Sequence, residues 1–168
     1  MANPSLFLAS KSLRRQMLLE QIGIRFEVID IDLGEARFPD EYPASYVLSL
    51  ALDKAQAGRA QVESGHRPPV LGADTSVVVG DRILGKPNDR REATAMLRLL
   101  GGRKHWVLVL SGITLVDGHE WQALSVSEVY FRAVSAQEAD AYWETGEPRN
   151  KGAGVPCSWR TCGAAIQT

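Results

Sequence analysis

Short apolar runs alternate along the chain with longer stretches in which apolar residues recur at helical spacing, the pattern expected when strands and helices share one core. Leu6-Phe7-Leu8-Ala9 reads as a buried strand, and Ser12 stands at the N-cap of a helix through Arg15-Gln16-Met17-Leu18-Leu19 towards Gly23. Phe26-Glu27-Val28-Ile29 predicts a second strand, followed by the acidic loop Asp30-Ile31-Asp32-Leu33-Gly34-Glu35; Pro39 and Pro43 punctuate the stretch beyond it. From Ala44 to about Ala60, Val47, Leu50, Ala51, Ala55 and Gly58 share one helical face. Val70-Leu71-Gly72-Ala73 predicts a strand leading to Asp74-Thr75, and Val77-Val78-Val79 with Arg82-Ile83-Leu84 predicts a hairpin turning at Gly80-Asp81. Asp89 and Glu92 form a capping-box pattern for a helix carrying Ala93, Met96, Leu97 and Leu100. Two longer strands, Trp106 to Val116 and Trp121 to Phe131, flank Asp117-Gly118, and Ser135 with Glu138 caps a last helix through Tyr142-Trp143. The succession implies α/β or α+β with a mixed sheet.

The 168 residues suffice for one domain, or two lobes sharing a core, but not for two independent domains. A formal net charge of −1 leaves no global basic field for nucleic acid, and no polybasic run that would hold a membrane. No segment approaches the ~18 apolar residues that span a bilayer, and no basic run precedes the apolar stretch at the start, so a cytoplasmic setting is expected. Cys157 and Cys162 lack the spacing of a zinc site or a disulfide framework. Up to about residue 151 there is no linker or repeat.

The chemistry suggested by the residues is that of a phosphorylated ligand. Ser10-Lys11-Ser12-Leu13-Arg14-Arg15 sits at a strand-to-helix junction, where free N–H groups and the helix dipole favour anions. Arg14 and Arg15 oppose that dipole, which makes sense if phosphate lies between them; solvated arginines beside a merely capping Ser12 are the bland alternative. Lys54 falls on the apolar face of its helix, so it must snorkel or meet an anion, and snorkelling is the commoner outcome. Asp74, at an expected strand end, can hold a metal or a water, or simply form a turn. Glu35 could supply a second carboxylate or act as general base, with Asp30 and Asp32 offering the same chemistry. Lys86, on a turn after the hairpin, and Lys151 could each neutralise a phosphate. The segment has neither a Walker loop nor a Rossmann glycine pattern.

In LASKSLRRQMLLEQIG, in DLGEAR, in LALDKA and in GADTSVVVGDRILGKPNDRREATAMLRLLGG, with SEVYFR and YWETGEPRNK further on, the chain resembles the Maf family of nucleoside triphosphate pyrophosphatases. The similarity runs from about Leu6 to Lys151. The resemblance implies an α/β fold, a mixed sheet with flanking helices and two lobes around a cleft, related to the inosine-triphosphate pyrophosphatases. It implies magnesium-dependent (or manganese-dependent) cleavage between the α and β phosphates and a homodimer. By position, Ser12, Arg14, Arg15, Lys54 and Lys86 would grip the triphosphate, with Thr75 and Lys151 at the substrate. Glu35 and Asp74 would hold the metal or activate the attacking water. Gly72-Ala73-Asp74-Thr75 together with Glu147-Pro148-Arg149-Asn150-Lys151 looks like the branch preferring dTTP and UTP over 7-methyl-GTP.

After Lys151 the family pattern of an Ala-Gly pair, an aromatic residue and a Gln-Gly gives way to Gly152-Ala153-Gly154-Val155-Pro156-Cys157-Ser158, and Ser158 stands where the glutamine is expected. Residues 1–151 therefore read as the Maf-like domain and 152–168 as a divergent tail, frameshifted or truncated. Gly101 and Val109 replace the usual serine and threonine. Two rivals are a non-catalytic nucleotide binder that lost turnover with the tail, and an aspartyl-nucleophile phosphatase suggested by Asp30-Ile31-Asp32. The second wants a threonine where Gly34 stands.

Overall fold

A computed structural model describes residues 4–33, 41–62, 68–80, 82–102, 107–117, 119–146 and 165–166. The fold is mixed α/β, as the sequence implies. Its strands are β1 (Leu6–Leu8), β2 (Phe26–Val28), β3 (Val70–Val79), β4 (Arg82–Leu84), β5 (Val107–Val116), β6 (Glu120–Tyr130) and β7 (Ala165–Ile166). The helices are α1 (Leu13–Gln21), α2 (Pro43–Gln61), α3 (Arg90–Leu100) and α4 (Ala136–Glu144). The strands hydrogen-bond in the order β2-β1-β3-β5-β6-β7, with β4 paired to β3. β1 runs parallel to both β2 and β3, whereas β3–β4 and β6–β7 are antiparallel.

Two compact units divide the chain, Met1–Asp74 with Ser111–Ser125, and Thr75–Leu110 with Val126–Thr168. In the first, the apolar stripe expected from periodicity is the buried face of α2: Val47, Leu50, Ala51, Ala55 and Gly58 are all buried. Its small members bring the helix backbone unusually near the sheet. A Cβ added to Gly58 would meet Val70 Cγ1 at 2.9 Å and Ala9 Cβ at 3.1 Å. One added to Gly72 would lie 2.6 Å from Ala55 N and 2.9 Å from Ala55 Cβ, and closer still to the Ala51 carbonyl oxygen. Glycine at 72 is thus required by the seating of α2 on β3, the role a strand-interior glycine commonly has.

The second unit closes on Val77, Leu84, Leu97, Leu100 and Ala139, with Phe131, Val134 and Tyr142 against them. The expected hairpin is present, Val79 facing Arg82 across a turn that uses Gly80 at φ +59°. Asp89 caps α3 by accepting the Glu92 N–H at 2.7 Å. The reciprocal arm differs from a capping box, because the Glu92 carboxylate reaches one residue further back, to the Asn88 N–H and Nδ2, each at 2.8 Å. At α4 the box is complete between Ser135 and Glu138. Arg90 joins the two helices, with Nε 3.0 Å from Asp140 Oδ1 and Nη1 3.0 Å from Glu144 Oε1.

The expectation for Asp74 is corrected by the course of the sheet. Asp74 does not end a strand: β3 continues unbroken from Val70 to Val79. No turn residue interrupts the run, and the polar Asp74-Thr75-Ser76 stretch stays extended with Asp74 and Ser76 buried. The strand that ends nearby is β1, whose last parallel partner on β3 is Leu71.

Candidate active site

β1 delivers the chain to Ser10, which the sequence places in the candidate anion-binding segment without a role of its own. Ala9 N–H bonds to the Leu71 carbonyl at 2.9 Å, and the backbone then folds back as Ser10 N–H bonds to Leu8 O at 2.9 Å. Ser10 is 9% exposed, and its hydroxyl oxygen accepts from Arg15 Nη1 at 3.0 Å and from the Ser12 N–H at 3.2 Å. A buried hydroxyl thereby fixes the half-buried Arg15 against the start of α1, while Arg14 is exposed. A serine carries no periodicity signal of its own; only its place at the end of an apolar strand pointed to it.

Ser12 is the N-cap residue of α1 by backbone position, but its side chain makes no capping hydrogen bond, unlike Asp89 and Ser135. The first turn of α1 also contains no acidic residue. A helix start with neither a side-chain cap nor an acid, and with arginines at its second and third positions, is biased electrostatically towards an external anion.

The alternation of side chains along β3 puts Gly72 and Asp74 on the same face, the face covered by α2. Because Gly72 lets Ala51 and Ala55 settle on the strand, Lys54 is carried to Asp74: Nζ lies 2.6 Å from Oδ1, with the two side chains 16% and 12% exposed. The commoner expectation for Lys54, a snorkelling stem, is therefore replaced by an anion partner, since water is largely withheld from this spot. Buried pairs of this kind contribute little net stability while intact, because desolvation offsets attraction, yet are costly to break from one side. Asp74 and Lys54, singled out separately in the sequence, are one unit in the fold.

Asp30, the feature behind the aspartyl-nucleophile reading, is 2.6 Å from Lys11 Nζ in an exposed ion pair. Its hydrogen bond raises the Lys11 pKa, and the charges of Asp30 and Asp32 add to the effect. That carboxylate is engaged by a surface lysine. Thr75 follows Asp74 on the opposite face of β3 and is half-buried, and Lys86 is exposed just after β4, ahead of the buried Pro87. Glu35 and Lys151 lie outside the described residues.

Among the described residues no group of three or more His, Cys, Asp or Glu could cage a metal ion. Asp74 nevertheless fits a hard cation, because magnesium is commonly held by one or two carboxylates with waters and substrate phosphates completing the shell. No helix among the described residues is long and apolar enough to cross a membrane.

A Maf-like protein family model matches residues 5–167. A protein of Xylella fastidiosa strain 9a5c named nucleoside triphosphate pyrophosphatase is 45% identical over 146 residues, covering 87% of this chain and 77% of its own length. Proteins named dTTP/UTP pyrophosphatase are 44% identical over 160 residues in Alkalilimnicola ehrlichii (94% of this chain, 78% of that protein) and 43% identical over 150 residues in Saccharophagus degradans (89% and 71%). With a lysine–aspartate pair joining α2 to β3, a serine-anchored arginine at the start of α1, and a family match spanning almost the whole chain, this protein belongs to the Maf-like family.

Proposed function

We propose that the chain hydrolyses nucleoside triphosphates, dTTP and UTP foremost, to the monophosphate and pyrophosphate. The observation that carries this reading is the Lys54–Asp74 pair, held under α2 in a chain 43–45% identical to relatives that bear those names. In the reaction a water oxygen bonds to the α-phosphorus, the bond to the bridging oxygen breaks, and pyrophosphate leaves with the electron pair. Charge grows on the phosphoryl oxygens, so fixed positive groups there lower the barrier, each by an amount on the order of 10²–10³ in rate where mutagenesis has measured such donors.

Arg15, fixed by Ser10, together with Ser12 and Arg14 at the start of α1, grips the phosphate chain; Lys54 and Lys86 add charge, and Thr75 and Lys151 contact substrate. Asp74 and Glu35 hold the cation or take the proton from water. Magnesium or manganese, when bound, supplies Lewis-acid neutralisation of the phosphate oxygens. A homodimer in the cytoplasm belongs to the same reading, supported for the dimer by the exposed apolar side chains Leu13, Met17, Leu18 and Ile22 on α1 and at its end.

The test is product analysis by ³¹P NMR, with magnesium, across dTTP, UTP, CTP and GTP. Pyrophosphate and the monophosphate from dTTP and UTP, abolished by chelator, are expected. Orthophosphate and the diphosphate instead would place cleavage at the wrong bond and overturn the reading.

A further inference from the structure

We infer that Lys54 and Asp74 exchange partners when substrate arrives, so that the ligand-free pair holds each residue back from its ligand until cation and triphosphate are both present. The inference rests on the proposed triphosphate reading and goes beyond it, because it concerns what the pair does before catalysis. Three observations lead to it. Lys54 Nζ and Asp74 Oδ1 are 2.6 Å apart, at direct hydrogen-bond distance. Both side chains are mostly withdrawn from water, so neither charge is readily left without a counter-charge. The backbone behind them is closely packed: Gly72 sits hard against Ala51 and Ala55, so α2 has no room to approach β3 further, and the exchange is left to the long Lys54 side chain.

These conditions set the energetics. A cation that arrives alone at Asp74 must either share the carboxylate with a nearby ammonium or drive Lys54 away to an unpaired position. A triphosphate that arrives alone at Lys54 costs Asp74 its contact with that ammonium and meets a carboxylate as well. When the two arrive together Asp74 passes to the cation and Lys54 passes to a phosphate oxygen, so each charge lost from the pair is replaced by one from its ligand. The coupling is reciprocal by linkage, and couplings of this kind commonly amount to roughly 5–150-fold in affinity.

The exchange is read on the intact wild-type protein from the ¹⁵N resonance of the Lys54 ammonium, assigned by its loss in Lys54→Gln. In the ligand-free protein the Asp74 contact protects this signal. Saturation with Mg²⁺ and α,β-methylene-dTTP together is expected to move it to a new protected position, and Mg²⁺ alone to leave it in place. Mn²⁺ affinity without nucleotide gives the second readout: Lys54→Gln should tighten it by on the order of tenfold, within the coupling range above. Lys11→Gln, which removes a cation already paired to Asp30, should leave it within about twofold, a control for the general field. A Lys54 signal that does not move at saturation, or equal tightening in both variants, overturns the exchange while leaving the triphosphate reading in place. Exchange without pyrophosphate release from dTTP would sink that reading alone, and absence of any binding would sink both.

Discussion

Replacing Gly72 by alanine adds one methyl group at the point where the helix backbone crosses the sheet. The new Cβ would stand 2.6 Å from Ala55 N and 2.9 Å from Ala55 Cβ, with the Ala51 carbonyl oxygen nearer still. Unstrained contacts lie near 3.5–4.0 Å, so α2 must retreat by about 1 Å or more. The obstructing atoms are helix backbone, which cannot swing aside as a side chain would. Overpacking typically costs about 1–3 kcal/mol, and this site belongs at or above the upper end of that range because Val47, Leu50, Ala51 and Ala55 all lose contact together. The same retreat pulls Lys54 Nζ off Asp74, so catalytic efficiency should fall with stability. Urea unfolding followed by far-UV circular dichroism measures the first effect. Gly85→Ala is the control, since a Cβ there meets nothing within 4 Å, and it should shift stability by less than about 1 kcal/mol. A Gly72→Ala protein as stable as the Gly85→Ala protein would refute the claim that this glycine sets the height of α2 above the strand.

Other consequences are as direct. Ser12→Ala should leave the unfolding midpoint almost unchanged, because its side chain makes no cap bond, whereas Asp89→Ala and Ser135→Ala should each cost about 1 kcal/mol in the same titration. Ser10→Ala removes the acceptor that fixes Arg15 and should raise KM for dTTP with a smaller fall in kcat, read by steady-state pyrophosphate release; an unchanged KM would remove Ser10 from the positioning of Arg15. Glu138 has its pKa lowered to about 2, first by the Arg132 hydrogen bond and then by the Ser135 N–H and hydroxyl. Its folded value lies below its unfolded one, so its stabilising contribution is present above the unfolded carboxylate pKa of about 4.3 and fades as pH falls towards 2. The stability gap between wild type and Glu138→Gln should accordingly close over that window, and a gap independent of pH would contradict the assignment.

Much of this arrangement was legible in the sequence, for reasons that differ residue by residue. The buried face of α2 follows from periodicity alone, since burial of one helical stripe is a local consequence of a 3.6-residue repeat. Caps at Asp89 and Ser135 were readable because the bonds that make them span three residues. Of Lys54 the periodicity showed only that it must snorkel or meet an anion, snorkelling being the commoner outcome. Which anion depended on Gly72, whose effect lies across a helix–sheet contact between residues about 20 positions apart in sequence. The course of β3 through Asp74-Thr75-Ser76 was hidden for a related reason: three polar residues look like a strand's end unless a partner is known to bury with them. Ser10 fell within the candidate strand-to-helix segment, but its own part was not readable because it is played by hydrogen bonds to Arg15 and Ser12 rather than by charge.

Turnover by Asp74→Asn bears most directly on the Lys54–Asp74 pair, measured as pyrophosphate released from dTTP with magnesium, alongside urea unfolding of the same preparation. Asparagine keeps an oxygen facing Lys54 but removes the opposing charge, so stability should fall by no more than the roughly 3–5 kcal/mol of a buried pair broken from one side, while turnover falls on the order of 10²–10³-fold or more. A folded Asp74→Asn protein that releases pyrophosphate at the wild-type rate would contradict the claim that the Lys54–Asp74 pair between α2 and β3 is the heart of the active site.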